Sequence, residues 1–381
     1  MADISLRLNP KIVIGQDTIN RIGSFCTEFG GRALVVSEQV LYENKVIDRV
    51  VSVLADAGIE AIMFDEVPAQ ATADVAENAA ELARGARCSV VVGLGGLKTL
   101  AIARTVAILA SGNDYLFELL DGAAPNGPIL PFIAVPTTGR DPFLFSERYI
   151  AVDPRDRSVK LIKSGPTICV GAIMDPGLSE SLSGKFSATT AFDGFCSAFE
   201  SYCSSKANFF SDTLLERAIE LYVRIMDSFA DNRPFDALGI STQAGFLTSL
   251  GVASSAPGIG TALSFALNGR FPVAKSWCST VILPYVMEFT SKARVERLAR
   301  VASIMGEAVE GAGSGAAAAM AVDGIRRRMG LLKVPARLKD FGLALDKLVP
   351  VAECACDLEF VSFSPRAVSA EDAYDLLKQA Y

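Results

Sequence analysis

The sequence predicts an α/β N-terminal domain with a Rossmann-like parallel sheet, followed by an all-α helical C-terminal domain. Three observations carry that expectation. Between Gly31 and about Val135, short β-branched runs alternate with longer helical patterns, as in a parallel sheet flanked by helices. After about Asp175, strand-like runs nearly vanish and Ala/Leu/Ser/Phe-rich stretches take over. A chain of 381 residues also exceeds what one hydrophobic core normally supports, so two domains are expected, 1–178 and 179–381.

The elements follow in order. Ala33–Val36, Ala61–Phe64, Ser89–Val92 and Ile129–Val135 read as strands, and Val46–Ala57 and Thr72–Arg84 as amphipathic helices between them. Asp175-Pro-Gly-Leu-Ser-Glu-Ser-Leu-Ser-Gly is rich in turn formers and marks the domain boundary. Beyond it, 187–206, 211–229, 237–268 and 279–308 read as helical, and the Gly-rich run 311–315 as an inter-helix loop. Trp277 and Phe265 read as packing residues, and Phe209, Phe210, Phe360 and Phe363 as core or dimer contacts.

Composition narrows the function classes. Hydrophobic residues make up 50% and charged residues 21%, enough for a large core and too apolar for a disordered chain. The formal charge is −7 and no basic run is present, which argues against a nucleic-acid partner. No uncharged apolar stretch reaches the ~18 residues a spanning helix needs, and the N-terminus lacks a signal-peptide pattern, so a cytoplasmic protein away from membranes is expected. The eight cysteines are scattered without a Cys-x-x-Cys, which fits buried free thiols rather than disulfides or structural zinc. The chain has no histidine, so the commonest metal ligand and the usual neutral-pH proton shuttle are both absent.

Two turns could meet a ligand. Ser89-Val-Val-Val-Gly-Leu-Gly95-Gly96-Leu97-Lys98-Thr99 runs from a strand through glycines into a helix beginning near Lys98, so its backbone amides could approach a pyrophosphate. The same pattern also serves a plain tight turn. Pro136-Thr137-Thr138-Gly-Arg140-Asp141-Pro follows another apolar strand and adds hydroxyls and backbone donors on what should be the same sheet edge. Glu38 closes the Ala33–Val36 run as a ribose-diol acceptor would, or stands there as an ordinary exposed acid.

On these residues the chain resembles the iron-containing (group III) alcohol dehydrogenase family of the dehydroquinate synthase-like fold, from about residue 10 to the end. Gly95–Arg104 falls on the family's Gly-Gly-Gly-Ser-x-x-Asp-x-Ala-Lys, with Leu97, Lys98, Ala101 and Arg104 in place of the third Gly, the Ser, the Asp and the Lys. Pro136-Thr137-Thr138 matches its Pro-Thr-Thr. Glu38 takes the place of the Asp that grips the adenosine ribose, which implies NAD, with NADP possible, and Lys160 resembles the lysine near the nicotinamide. The resemblance thus implies a cofactor site of Glu38, Gly95, Gly96, Leu97, Lys98, Thr137, Thr138, Asp141 and Lys160. It also implies an active site in a cleft between the domains, and a homodimer.

In the helical half, Asp193-Gly-Phe-Cys-Ser197-Ala-Phe-Glu200 follows the family's Asp-Ala-Leu-x-His-Ala-x-Glu. Gly258–Phe265 follows Gly-x-x-His-Ala-x-x-His, and Lys275–Pro284 follows His-Gly-x-x-Asn-Ala-x-x-Leu-Pro. The ligand positions therefore hold Asp193, Ser197, Thr261 and Lys275, with Phe265 in place of a further pocket histidine. Two hydroxyls and an ammonium cannot hold Fe²⁺ or Zn²⁺, because a charged lysine has no lone pair and neutral hydroxyls are poor ligands. No metal is expected. A buried Asp193 then needs a counter-ion, and a contact with Lys275, direct or through water, is expected.

The function implied is a metal-independent NAD(P)-dependent reductase of a small carbonyl. Lys275 would act as electrophile, paired with Asp193; Ser197, Thr261 or Tyr149 would be proton relays, and Arg140, Arg270 and Lys160 charges favouring an acidic or phosphorylated substrate. A non-catalytic or regulatory paralogue, and a lyase or cyclase on the same scaffold, are the alternatives.

Overall fold

The computed structural model describes residues 6–165, 168–179, 184–230 and 237–381, apart from the side chains of 184 and 185. The chain divides into two compact units, Arg7–Ser181 and Leu182–Tyr381. The end of the turn-rich boundary segment, 180–183, lies outside the described residues.

The first unit carries the α/β architecture. Six strands, β1 (Lys11–Ile14), β2 (Arg32–Val36), β3 (Glu60–Phe64), β4 (Val90–Gly95), β5 (Phe132–Pro136) and β8 (Cys169–Met174), form a sheet of order β1-β8-β5-β4-β2-β3. Every pairing in it is parallel. Its helices are α1 (Ile22–Cys26), α2 (Val40–Glu43), α3 (Val46–Asp56), α4 (Val75–Gly85), α5 (Leu97–Leu109) and α6 (Leu116–Leu120). The amphipathic spacing read for α3 places Ile47, Val50 and Leu54 on its buried face. They share a core with Val35, Val92, Ile133 and Ile173 of the sheet. Each such side chain contributes about 1.5–3 kcal/mol by leaving water.

The short helices α1, α2 and α6 and four of the strands escaped the sequence reading. An antiparallel hairpin, β6 (Arg148–Val152) with β7 (Val159–Lys163), stands apart from the main sheet. β8 carries Gly171 and Ala172, which weaken the strand signal, and β1 is only four residues long.

The second unit is helical. It comprises α7 (Gly184–Cys203), α8 (Phe209–Ala230), α9 (Ala237–Ala253), α10 (Ile259–Arg270), α11 (Lys275–Ile304), α12 (Ser314–Leu331), α13 (Val349–Cys356) and α14 (Ala370–Ala380). Its core packs Phe192, Phe195 and Phe199 of α7 with Leu215, Ile219 and Tyr222 of α8 and Leu283 and Met287 of α11. The helical stretch 237–268 holds two helices, parted at Ser254–Gly258: Pro257 lacks an amide hydrogen and Gly258 is the extended cap of α10. Ser314 and Gly315, read as loop, open α12 after the Gly313 cap.

The packing expectations are met in part. Of the residues expected as core or dimer contacts, Phe209 is 67% exposed and so is not a core residue of this chain, and Phe363 is half-buried under the Lys206 ammonium, 3.5 Å from its ring centre. Trp277 packs edge-on against Phe341. Six cysteines are buried free thiols as read, but Cys354 and Cys356 are half-buried.

Candidate active site

The parallel sheet brings the two ligand turns side by side. β4 and β5 end in register, Gly95 opposite Pro136, and the Thr137 amide donates to the Gly95 carbonyl at 3.0 Å. The chain order reverses direction between β2 and β4, which makes the carboxyl ends of these strands a topological switch point, where open α/β sheets bind ligands. Glu38, two residues beyond β2, reaches across this point. Its Oε1 accepts from the Gly96 amide at 2.8 Å and from the Thr99 hydroxyl at 2.5 Å, while Oε2 has no partner among the described residues. A side chain on Gly95 would meet Glu38 and Thr99 at 2.8 Å, so only glycine permits this approach.

The amides of Leu97, Lys98 and Thr99 lie in the first turn of α5 and have no carbonyl four residues earlier within the helix, so they face the partial positive end of its dipole. Thr137 and Thr138 are buried at the neighbouring turn, and the Thr137 carbonyl accepts from the Ser179 hydroxyl at 2.7 Å. Asp141 spends Oδ1 on the Phe143 amide at 2.9 Å, closing the turn locally. Lys98 donates to the Ala69 carbonyl at 2.8 Å, and burial, then the charge of Arg157, lowers its amine to about 8. Lys160 stands half-buried on β7, opposite Ala151, where its charge acts on Asp121, Asp153 and Asp156.

Arg104 is a residue whose role sequence reasoning missed. Only 1% exposed, it donates to the Phe143 carbonyl at 3.0 Å and the Leu144 carbonyl at 2.7 Å, and lies 5.6–5.7 Å from the ring centres of Phe132 and Tyr149. It pins the segment that follows the Thr137-Thr138 turn. Tyr149, expected as a proton relay, is instead buried against Thr105 at 2.8 Å, and burial pushes its phenol well above the ordinary range.

In the helical unit, Asp193, Ser197 and Glu200 occupy i, i+4 and i+7 of α7 and share one face, all buried. The expected Asp193–Lys275 contact is present and direct: Lys275 Nζ, from the first residue of α11, donates to Asp193 Oδ1. The ammonium also lies 4.6 Å over the Phe265 ring. Ser197 Oγ and Thr261 Oγ1 hydrogen-bond at 3.2 Å beside this pair. Glu200 fixes Thr261, because its carboxylate accepts from the amides of Gly258 at 3.1 Å, Gly260 at 2.5 Å and Thr261 at 2.8 Å, at the positive end of α10. Burial raises the Glu200 carboxyl, opposed by hydrogen bonds from Thr261, Gly260 and Gly258. Its place in the family-like helix was visible in sequence, but its anchoring of α10 was not, since the partners lie 58–61 residues away.

The structure thus gathers Asp193, Ser197, Thr261 and Lys275 in one unit. In the other it gathers Glu38, Gly95, Gly96, Leu97, Lys98, Thr137 and Thr138 at adjoining strand ends, with Asp141 in the same turn as the threonines and Lys160 on the hairpin. The first set does not fit a divalent metal. Its one anionic donor, Asp193, is engaged by an ammonium, and its other oxygens are neutral hydroxyls. Among the described residues no three or more His, Cys, Asp or Glu side chains are grouped to hold an ion.

The fold is of a two-unit type, a parallel α/β unit followed by a helical one. Residues 9–176 match the iron-containing alcohol dehydrogenase family and 187–381 match the C-terminal region of Fe-containing alcohol dehydrogenases. The chain belongs to the iron-containing alcohol dehydrogenase family and is an oxidoreductase. It is 29% identical to choline dehydrogenase of Bacillus subtilis over 280 residues, covering 72% of this chain and 69% of that protein. It is 24% identical to 1,3-propanediol dehydrogenase of Citrobacter freundii over 96% of both. The crystal structure of a 1,3-propanediol oxidoreductase covers all of both chains with TM-score 0.92 at 23% identity. Sulfoacetaldehyde reductase from Bifidobacterium kashiwanohense, solved in complex with NAD⁺, covers 100% of this chain and 99% of its own, with TM-score 0.85 at 17% identity. No helix among the described residues is long and apolar enough to cross a membrane.

Proposed function

We propose that the protein is an NAD-dependent, metal-independent reductase of a small carbonyl compound carrying a carboxylate or phosphate. The observation that carries this reading is the Lys275 ammonium, held on Asp193 at the residue positions where the family places metal ligands. Bound NADH supplies the hydride. Glu38 Oε2 takes the ribose diol and, by its charge, disfavours the extra phosphate of NADP, while the first-turn amides of α5 and the Thr137 and Thr138 hydroxyls hold the phosphates. Lys160 lies toward the nicotinamide in this reading.

An ammonium has three donor hydrogens. One is spent on Asp193, and another polarises the carbonyl oxygen as negative charge develops on it. Reduction would add the hydride of NADH to the carbonyl carbon, leaving NAD⁺, and a proton drawn from solvent water to the oxygen, passed along the Ser197–Thr261 hydroxyl pair. In this reading the protein is a cytoplasmic homodimer, which size-exclusion chromatography with light scattering checks.

The test is NADH oxidation by the purified protein against small aldehydes, 2-keto acids and phosphorylated carbonyls, with and without EDTA. Turnover should survive chelation, favour the acidic substrates, and fall about 10²–10³-fold in kcat when Lys275→Met removes the donor. Activity abolished by EDTA and restored by Fe²⁺ or Zn²⁺ refutes metal independence. NADH binding without turnover across the panel refutes the reductase.

A further inference from the structure

Phe265 lies on α10 four residues after Thr261, so the two side chains share one face of that helix. The Thr261 hydroxyl meets Ser197 of α7, and the Phe265 ring meets the Lys275 ammonium, which lies 4.6 Å from the ring centre. Both Phe265 and Lys275 are buried, so the contact is shut off from bulk water. The lysine stem springs from the first turn of α11, at the positive end of that helix, so α11 gives the charge no support. What holds the ammonium comes from the other two helices: the Asp193 carboxylate of α7 and the negative π face of Phe265.

We propose that Phe265 is a positioning residue for Lys275, whose ring face takes up one direction of the ammonium and so aims the hydrogen that meets the carbonyl oxygen of the substrate. The inference rests on the reductase reading above and gives a part to a side chain which that reading leaves as packing. Of the three ammonium hydrogens, Asp193 accepts one and the ring attracts a second. Lys275 makes no further hydrogen bond among the described residues, so a single hydrogen is left, in a direction set by the other two contacts. Lys275 can therefore polarise one oxygen but cannot also grip a carboxylate, and an acidic group on the substrate has to be met by other cations.

An aliphatic side chain in place of Phe265 fills similar space without attracting the ammonium, which is then free to turn toward Asp193. The charge stays and its aim is lost. Such a loss is felt in the chemical step, where alignment counts, more than in the binding of either substrate.

The experiment is steady-state kinetics on the full-length protein with Phe265→Leu, and with Phe265 replaced by phenylalanines carrying one, two and three ring fluorines, which keep the shape of the ring while draining its negative face. Along the fluorine series kcat should fall stepwise, by about tenfold at the end, while the carbonyl KM and the NADH Kd move by less than about twofold. Phe265→Leu should lose at least as much kcat. In a Lys275→Met background the residual kcat should be flat across the series, because no cation faces the ring. A kcat that is level along the fluorine series marks the ring as packing and overturns the inference, leaving the reductase reading in place. An equal slope in the Lys275→Met background also overturns it. Wild-type protein that binds NADH but turns over none of the carbonyls overturns the reductase reading and this inference with it. If Phe265→Leu does not fold, the fluorinated series alone decides, since its members are nearly isosteric with the native ring.

Discussion

Replacing Lys275 by methionine separates its structural role from its chemical one. The side chains of Lys275 and Asp193 are 2% and 0% exposed, so neither partner is solvated once the other is gone. Lys275→Met keeps a straight apolar stem and removes only the charge, leaving the Asp193 carboxylate without its ammonium. Breaking a buried pair in this way costs about 3–5 kcal/mol. At about 2–4 °C per kcal/mol for a unit of this size, the melting temperature should fall by about 6–20 °C. Asp193→Asn should cost a similar amount, because it strands the ammonium on the Phe265 ring. The double variant should recover most of the loss, since a buried pair removed whole is often close to neutral.

The assay is chemical and thermal denaturation followed by circular dichroism on all four proteins, arranged as a double-mutant cycle, with kcat measured alongside. A Lys275→Met protein that loses only about 0–1 kcal/mol, the range of an exposed ion pair, refutes the buried-pair argument. A double variant that folds, binds NADH and turns over at the wild-type rate leaves the pair as packing and removes Lys275 from the chemistry.

Three further outcomes follow from the geometry. Arg104→Met loses two charge-assisted hydrogen bonds to the Phe143 and Leu144 carbonyls, each worth about 1.5–3 kcal/mol, and should lower both the melting temperature and NADH affinity, measured by scanning fluorimetry and fluorescence titration. Gly194→Ala would place a methyl 2.3 Å from Tyr222 Cζ, inside contact distance, in a packed core. It should destabilise by about 1–3 kcal/mol or more in urea denaturation. Burial pushes the Cys26 and Cys278 thiols up to about 12, so native protein at about pH 8 should be alkylated first at the half-buried Cys354 and Cys356. Peptide mass spectrometry that finds Cys278 labelled without denaturant contradicts this.

What the sequence disclosed depended on whether the signal was local. β2, β3, β4 and β5 are compact apolar runs with helices between them, and α3 announces its buried face through three apolar residues at helical spacing. β8 gives no such signal because Gly171 and Ala172 dilute it, and the β6–β7 hairpin is interleaved with charged residues. The Asp193–Lys275 contact was legible across 82 residues only because a carboxylate in that frame demanded a cation. Neither Arg104 as the pin of Phe143 and Leu144 nor the shifted amine of Lys98 could be read in advance. Each depends on partners brought in by the fold: two carbonyls about 40 positions away, and Ala69 with Arg157.

The same distinction explains why substitutions have left the two halves of the family frame in different conditions. At the glycine turn, the groups proposed to hold the phosphates are backbone amides, which persist whatever the side chains are. The change to Leu97 and Lys98 alters the surroundings of those amides without removing one, and Lys98 adds a charge. The metal positions have no such reserve, because coordination there depends wholly on side chains. Restoring one of them does not restore a site: Lys275→His would supply a single imidazole beside Asp193, two ligands where a bound zinc needs three or four from protein. It would also take away the cation that neutralises Asp193 in the core. Each single reversion is therefore opposed by the stability of the ion pair it breaks, and the ammonium is held in place by folding as well as by any chemistry it performs.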